Sequence, residues 1–178
     1  MKNALLFLFI FPLSLMGFSQ TNLSEIRKAF FKMDTDTCAA FRLFESIQKL
    51  DYQASPLLLA YSGATEAASA PCIKGSFKKL EYFSRGKKNL EKAVQASPKN
   101  AEIRFLRFAT QANIPTFIEY NNINEDKPII LKQLPDLLAD EKVKNFWLKA
   151  SDFMLKSGKL NKEEEKTVKS LIEKHAKQ

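Results

Sequence analysis

The residues able to do chemistry are few and scattered along the 178 positions. The single histidine, His175, stands three residues from the end of the chain on the apolar stripe of a predicted final helix. That is a helix-end or core-edge position rather than the seat of an acid–base catalyst. One imidazole also provides no pair for a zinc site. Asp34-Thr35-Asp36 has the opening spacing of a calcium loop but lacks its turn glycine and terminal glutamate, so these acids read as helix caps. Glu163-Glu164-Glu165 falls in the first turn of a predicted helix, where the helix dipole stabilises negative charge. No glycine-rich phosphate loop and no Gly-x-Ser-x-Gly elbow is present. The sequence therefore predicts no catalytic residue, metal site or cofactor.

Positive charge is the more informative chemistry. The chain carries 28 Lys and Arg against 20 Asp and Glu. Residues 71–112 hold 10 of the cations and 3 of the acids. On a helix, Lys74, Lys78, Arg85, Lys88 and Lys92 fall close to one face, interrupted by Glu81, while Arg104, Arg107 and Gln111 form a polar stripe on the next helix. Two readings of these residues stand side by side. One is a solvated face whose arginines pair with acids such as Asp51, Glu66 or Glu81. The other is an electropositive surface for an anionic macromolecule.

The elements that must position these groups are helical. Five glycines against abundant Leu, Ala, Lys and Glu favour helix over sheet. Periodic apolar residues mark helices over 21–33, from Ala40 to Leu50, from Ser55-Pro56 to Ala68, over 73–96 with Gly75 and Gly86 as weak points, and over 101–112. A connection over 113–124 precedes a short helix at 127–134, entered through Pro128 and stopped near Pro135. Helices over 140–156 and from Asn161 onward complete the chain, the last opened by Asn161 and Glu164 in the manner of a capping box. In the third helix Ala60, Gly63, Ala64, Ala67 and Ala68 leave little bulk, which lets a neighbour approach closely, and Tyr61 reads as a buried ring. The expected fold is all-α, seven or eight short helices packed as antiparallel hairpins.

Lys2, the apolar run Ala4–Met16 and the small residues Gly17 and Ser19 ahead of Gln20 have the form of a secretory signal peptide. The run is too short for a permanent span. The expected organisation is a signal peptide over 1–19 and one helical domain over 20–178, located in the periplasm or outside the cell. Export allows Cys38 and Cys72 to form one disulfide where the second helix meets the segment entering the fourth; the alternative is two separately buried thiols.

Gly86, Leu90, Ala93 and Pro98, followed by Lys99-Asn100-Ala101-Glu102, resemble the second helix of a tetratricopeptide repeat and the entry into the next one. The resemblance centres on residues 73–107 and implies a right-handed helical array. The whole chain, through Phe18-Ser19-Gln20, the Ala101–Arg107 helix and its Lys-rich tail, also resembles small exported helical proteins of bacteroidete-type bacteria. That likeness implies a compartment and a helical fold, and no activity. The function expected is a non-enzymatic adaptor or scaffold of the cell envelope that binds an envelope protein or other anionic macromolecule. A peripheral binder of anionic lipid or glycan through the basic face of residues 74–107 is the second expectation, and a cryptic hydrolase the third. Export sets nucleic acid aside as a partner.

Overall fold

The computed structural model describes residues 17–33, 36–115 and 118–176. The signal-peptide reading of 1–19 falls mostly on residues 1–16, outside the described residues, as do Asp34 and Thr35 of the cap segment. Eight α-helices follow in order: α1 (Gly17–Phe30), α2 (Ala39–Gln48), α3 (Pro56–Ala68), α4 (Ser76–Ala96), α5 (Ala101–Ala112), α6 (Ile123–Ala139), α7 (Lys144–Lys156) and α8 (Lys162–Ala176). Short 3-10 turns at Tyr52–Ala54 and Ala70–Cys72 flank α3. No strand occurs among the described residues, so the all-α expectation holds.

Helix starts follow their capping chemistry. The Ser55 hydroxyl accepts from the Leu58 N–H ahead of Pro56, and the Asn100 side chain accepts from the N–H groups of Glu102 and Ile103. At α8 the Asn161 carbonyl accepts from the Glu164 N–H at 2.9 Å while the Glu164 carboxylate accepts from the Asn161 N–H at 2.8 Å, a complete capping box. Asp36 accepts from the Cys38 N–H at 2.8 Å, just before α2.

Some boundaries differ from expectation. α6 is not a short helix ending near Pro135; it runs through Pro128 and Pro135 to Ala139. Each proline removes one backbone hydrogen bond, but both are exposed, so the loss falls on the solvent side while Ile130, Leu134 and Leu138 stay anchored inside. α7 starts at Lys144 rather than Asp140, the intervening residues forming a turn.

α5 is the centre of the fold. Every residue from Ala101 to Ala109 is buried, with α3, α4, α6 and α7 around it. Phe105 is the hub of an aromatic cluster, its ring 5.7 Å from Phe146, 5.9 Å from Phe153, 6.1 Å from Phe31 and Trp147 and 6.4 Å from Phe30. On the other side, α3 and α4 touch backbone to backbone. A Cβ added at Gly86 would lie 2.5 Å from the Gly63 carbonyl oxygen and 2.5 Å from the Ala67 nitrogen. The small residues of α3 therefore do admit a neighbour, and Gly86 is the residue that enters.

Gly86→Ala is accordingly expected to destabilise the protein. Helix propensity alone favours alanine by about 1 kcal/mol. Overpacking costs about 1–3 kcal/mol, and here the obstructing atoms are backbone, so both helices must shift. A net loss in the urea midpoint is the expected result, against little change for Ser84→Ala on the exposed side of α4.

Candidate functional site

Arg104, Arg107 and Gln111 stand on one side of α5, as their spacing predicts, but that side is buried and they do not join the lysine face. The reason is the central position of α5: its polar stripe meets acids on α4 and α6 instead of water. Asp126, 0 % exposed, is the focus. Arg104 Nη1 donates to Asp126 Oδ1 at 3.0 Å, Arg107 Nη2 to the same oxygen at 2.7 Å, and Arg107 Nε to Oδ2 at 2.9 Å. Arg107 Nη1 reaches Glu91 of α4 at 2.9 Å and its Nη2 reaches Glu125 at 3.1 Å. Tyr120 O–H donates to Glu91 at 2.7 Å, and Gln111 exchanges two hydrogen bonds with Asn122. The network ties α4, α5, the loop after it and the start of α6 together. Burial opposes the charge on Arg107, yet the bonds and charge of Asp126 and Glu91 outweigh it and raise the guanidinium above its ordinary value. These two arginines and Gln111 are thereby committed to internal partners.

A second network lies between α1, α3 and α5. Arg27 Nε and Nη2 clasp Glu102 at 2.8 and 2.5 Å, and the buried Tyr61 donates its O–H to Glu102 at 2.6 Å. Burial first, then a carboxylate neighbour, raises both Tyr61 and Tyr120 above the ordinary value of 10.0. The unfolded chain therefore sheds these phenolic protons before the folded one does. Stability present below pH 10 should be lost as pH rises toward the folded values, by about 1.4 kcal/mol per pH unit for each buried tyrosine. Urea midpoints measured across alkaline pH should show this fall, and the double variant Tyr61→Phe/Tyr120→Phe should flatten it.

No family model, curated protein or solved structure matches the chain. Its candidate site is therefore built from its own surface. Of the predicted cations, Arg85 bridges Glu66 of α3 and Glu81 at 2.6 Å each, while Asp51 takes no part in these pairs. Lys78, Lys88 and Lys92 are exposed along α4, and Lys74 is exposed in the bend before it. None of these four has an ion-pair partner among the described residues. Beside them stand Phe77, 92 % exposed, and Leu80, 64 % exposed. The whole stretch from Lys74 to Glu81 is exposed, so the first turns of α4 project past the helices they adjoin.

The Cys38–Cys72 disulfide supports this projection. It joins the residue before α2 to the end of the 3-10 turn before α4, with Cα atoms 5.0 Å apart. Gly75 then turns the chain with φ of 88°, a conformation that favours glycine, and α4 begins at the next residue. Phe77 and Leu80 were not among the residues expected at the site, although helix phase sets them off the face that carries Gly86, Leu90 and Ala93 into the core. A further basic region was not readable. A cleft of about 160 Å³ between α1 and α7 brings Arg27 and Lys28 together with Lys142 and Lys149, Arg27 lying over the Phe146 ring and Lys149 over that of Phe31, residues far apart in sequence.

His175 is buried at the end of α8, a core-edge position. Among the described residues no group of three or more His, Cys, Asp or Glu is arranged to hold a metal ion, and no helix is long and apolar enough to cross a membrane.

Proposed function

We propose that the protein is an exported, non-enzymatic helical adaptor of the cell envelope, a single domain over 20–178 that binds an anionic macromolecule through the outward face of α4. The observation that carries this reading is the exposed pair Phe77 and Leu80 set among lysines 74, 78 and 79. Exposed aromatic and leucyl side chains cost free energy in water, and a tip that presents them beside cations suits a partner with both apolar and anionic parts. The arginines of α5 are occupied internally, which leaves the α4 lysines as the positive charge of this region available to a partner. In the same proposal residues 73–107 form the tetratricopeptide-like part of the domain, with Gly86 as the small residue of its second helix.

A photoreactive phenylalanine analogue at position 77 tests the reading in exporting cells. The expected result is an adduct with an envelope lipid or protein that the same probe at Lys166, on the exposed side of α8, does not form. Identical products from both positions would remove the proposal. N-terminal sequencing of the same exported material should begin near Gln20; material beginning at Met1 would remove the signal-peptide part.

A further inference from the structure

We infer that the partner of the α4 tip is an anionic lipid surface, and that the first turns of α4 are an interfacial anchor. This rests on the reading of that face as the binding face and names its ligand. Phe77 and Leu80 stand three residues apart and so share one side of the helix, where no neighbouring helix covers them. Lys78 and Lys79 are exposed on the adjoining sides of the same turn, and Lys74 is exposed in the bend before the helix. Within Lys74–Glu81 the single carboxylate, Glu81, is engaged by Arg85 at 2.6 Å, so the local charge is net positive.

Shape and charge together select the lipid. The apolar pair stands on an exposed helix end, and a protein partner would need a pocket matched to it. An acidic peptide strand would answer the lysines and leave the ring and the leucine in water. A bilayer interface answers both at once: the ring and the leucine enter the boundary between headgroups and acyl chains, while the lysine stems extend their ammonium groups back to the phosphates. Lys88 and Lys92, exposed further along α4, add attraction at longer range. The disulfide to Cys38 and the turn at Gly75 hold the tip to the body of the domain, so little ordering is required when it docks. Two apolar side chains make a reversible contact, not an irreversible insertion.

The test is flotation of the protein, purified after export, with mixed phosphatidylglycerol–phosphatidylcholine vesicles and with pure phosphatidylcholine vesicles. Binding to the mixed vesicles that weakens with salt is expected, and much weaker binding to the neutral ones. Phe77→Ser/Leu80→Ser should reduce binding by about tenfold or more. Neutralising Lys74, Lys78 and Lys79 as glutamine should reduce it by about fivefold per lysine. All the replaced side chains are exposed, so thermal unfolding should be unchanged and report intact folding. Equal binding to both vesicle types, or undiminished binding by the serine variant, overturns the lipid assignment. Absence of vesicle binding together with a protein adduct at position 77 also overturns it but leaves the α4 face as a docking site. Absence of both vesicle binding and any position-specific adduct removes the two together.

Discussion

Arg107→Ala is expected to lower the free energy of unfolding by about 3–5 kcal/mol, read as a shift of the urea midpoint. Arg107 is 2 % exposed, and its guanidinium donates to three carboxylates on two helices. Its removal strips Asp126, itself fully buried, of its bidentate partner and leaves Arg104 as the one cation bonded to it. The cost is chiefly that of a buried carboxylate losing its compensation, not the net worth of the ion pair. Two further measurements separate this from simple loss of packing. Asp126→Asn in the Arg107→Ala background should cost much less than the sum of the single changes, because the orphaned charge is gone. The penalty should also shrink in acid. Burial drives the Asp126 carboxyl upward, and with Arg107 absent less opposes that drive. The variant's folded pKa then lies above the unfolded value near 3.9, so its stability is retained below that pH and lost as pH rises through the folded value. The same substitution should leave vesicle binding by folded protein unchanged, since Arg107 lies in the interior and the α4 tip does not include it.

This residue also marks the boundary of what the sequence discloses. The three-residue spacing of Arg104 and Arg107 places both on one side of a helix, and that is where they are. Which side faces inward depends on acids brought from elsewhere. Asp126 is 19 residues beyond Arg107, on the next helix, and Glu91 is 16 before it, on the preceding one. Nothing in local periodicity distinguishes a polar stripe turned to water from one turned to buried carboxylates. Helix starts were legible for the opposite reason. The Ser55, Asn100 and Asn161 caps act on backbone groups two or three residues away, so the signal and its partner sit in one short window. α6 shows local rules being overruled: Pro128 and Pro135 read as entry and stop, but Ile130, Leu134 and Leu138 recur through them at helical spacing and their burial outweighs the bonds lost. Phe77 and Leu80 belong between these cases. Their phase relative to Gly86 and Leu90 is a local signal, whereas their projection beyond neighbouring helices is a property of the assembled fold.

Replacing both Cys38 and Cys72 by alanine is expected to cost about 3–4 kcal/mol, the loop entropy returned to the unfolded chain by opening a closure of 34 residues. The loop encloses α2 and α3 and ends where α4 begins, so global stability and local order should both respond, in distinguishable ways. The body of α4 from Gly86 to Val94 is held by backbone contact with α3 and by burial of Leu90 and Ala93, and it needs no crosslink to stay in place. The segment from Lys74 to Glu81 has no such burial, and Cys72 is the nearest covalent tie to the rest of the domain. Hydrogen exchange in the double alanine variant should therefore accelerate most at Lys79, Leu80 and Glu81, the first amides of α4 with a backbone acceptor, beyond what the global loss of stability imposes, while Leu90 and Ala93 change only with the global value. Reducing the native protein with dithiothreitol should reproduce the pattern, because it opens the same loop without altering any other side chain. If the α4 tip docks as a preorganised element, the same two treatments should weaken vesicle binding without changing its salt dependence: the lysines remain, and what is lost is the prior ordering of Phe77 and Leu80. A loss of binding accompanied by a flatter salt dependence would instead mean that the crosslink had been holding the cations, not the apolar pair, in register with the surface.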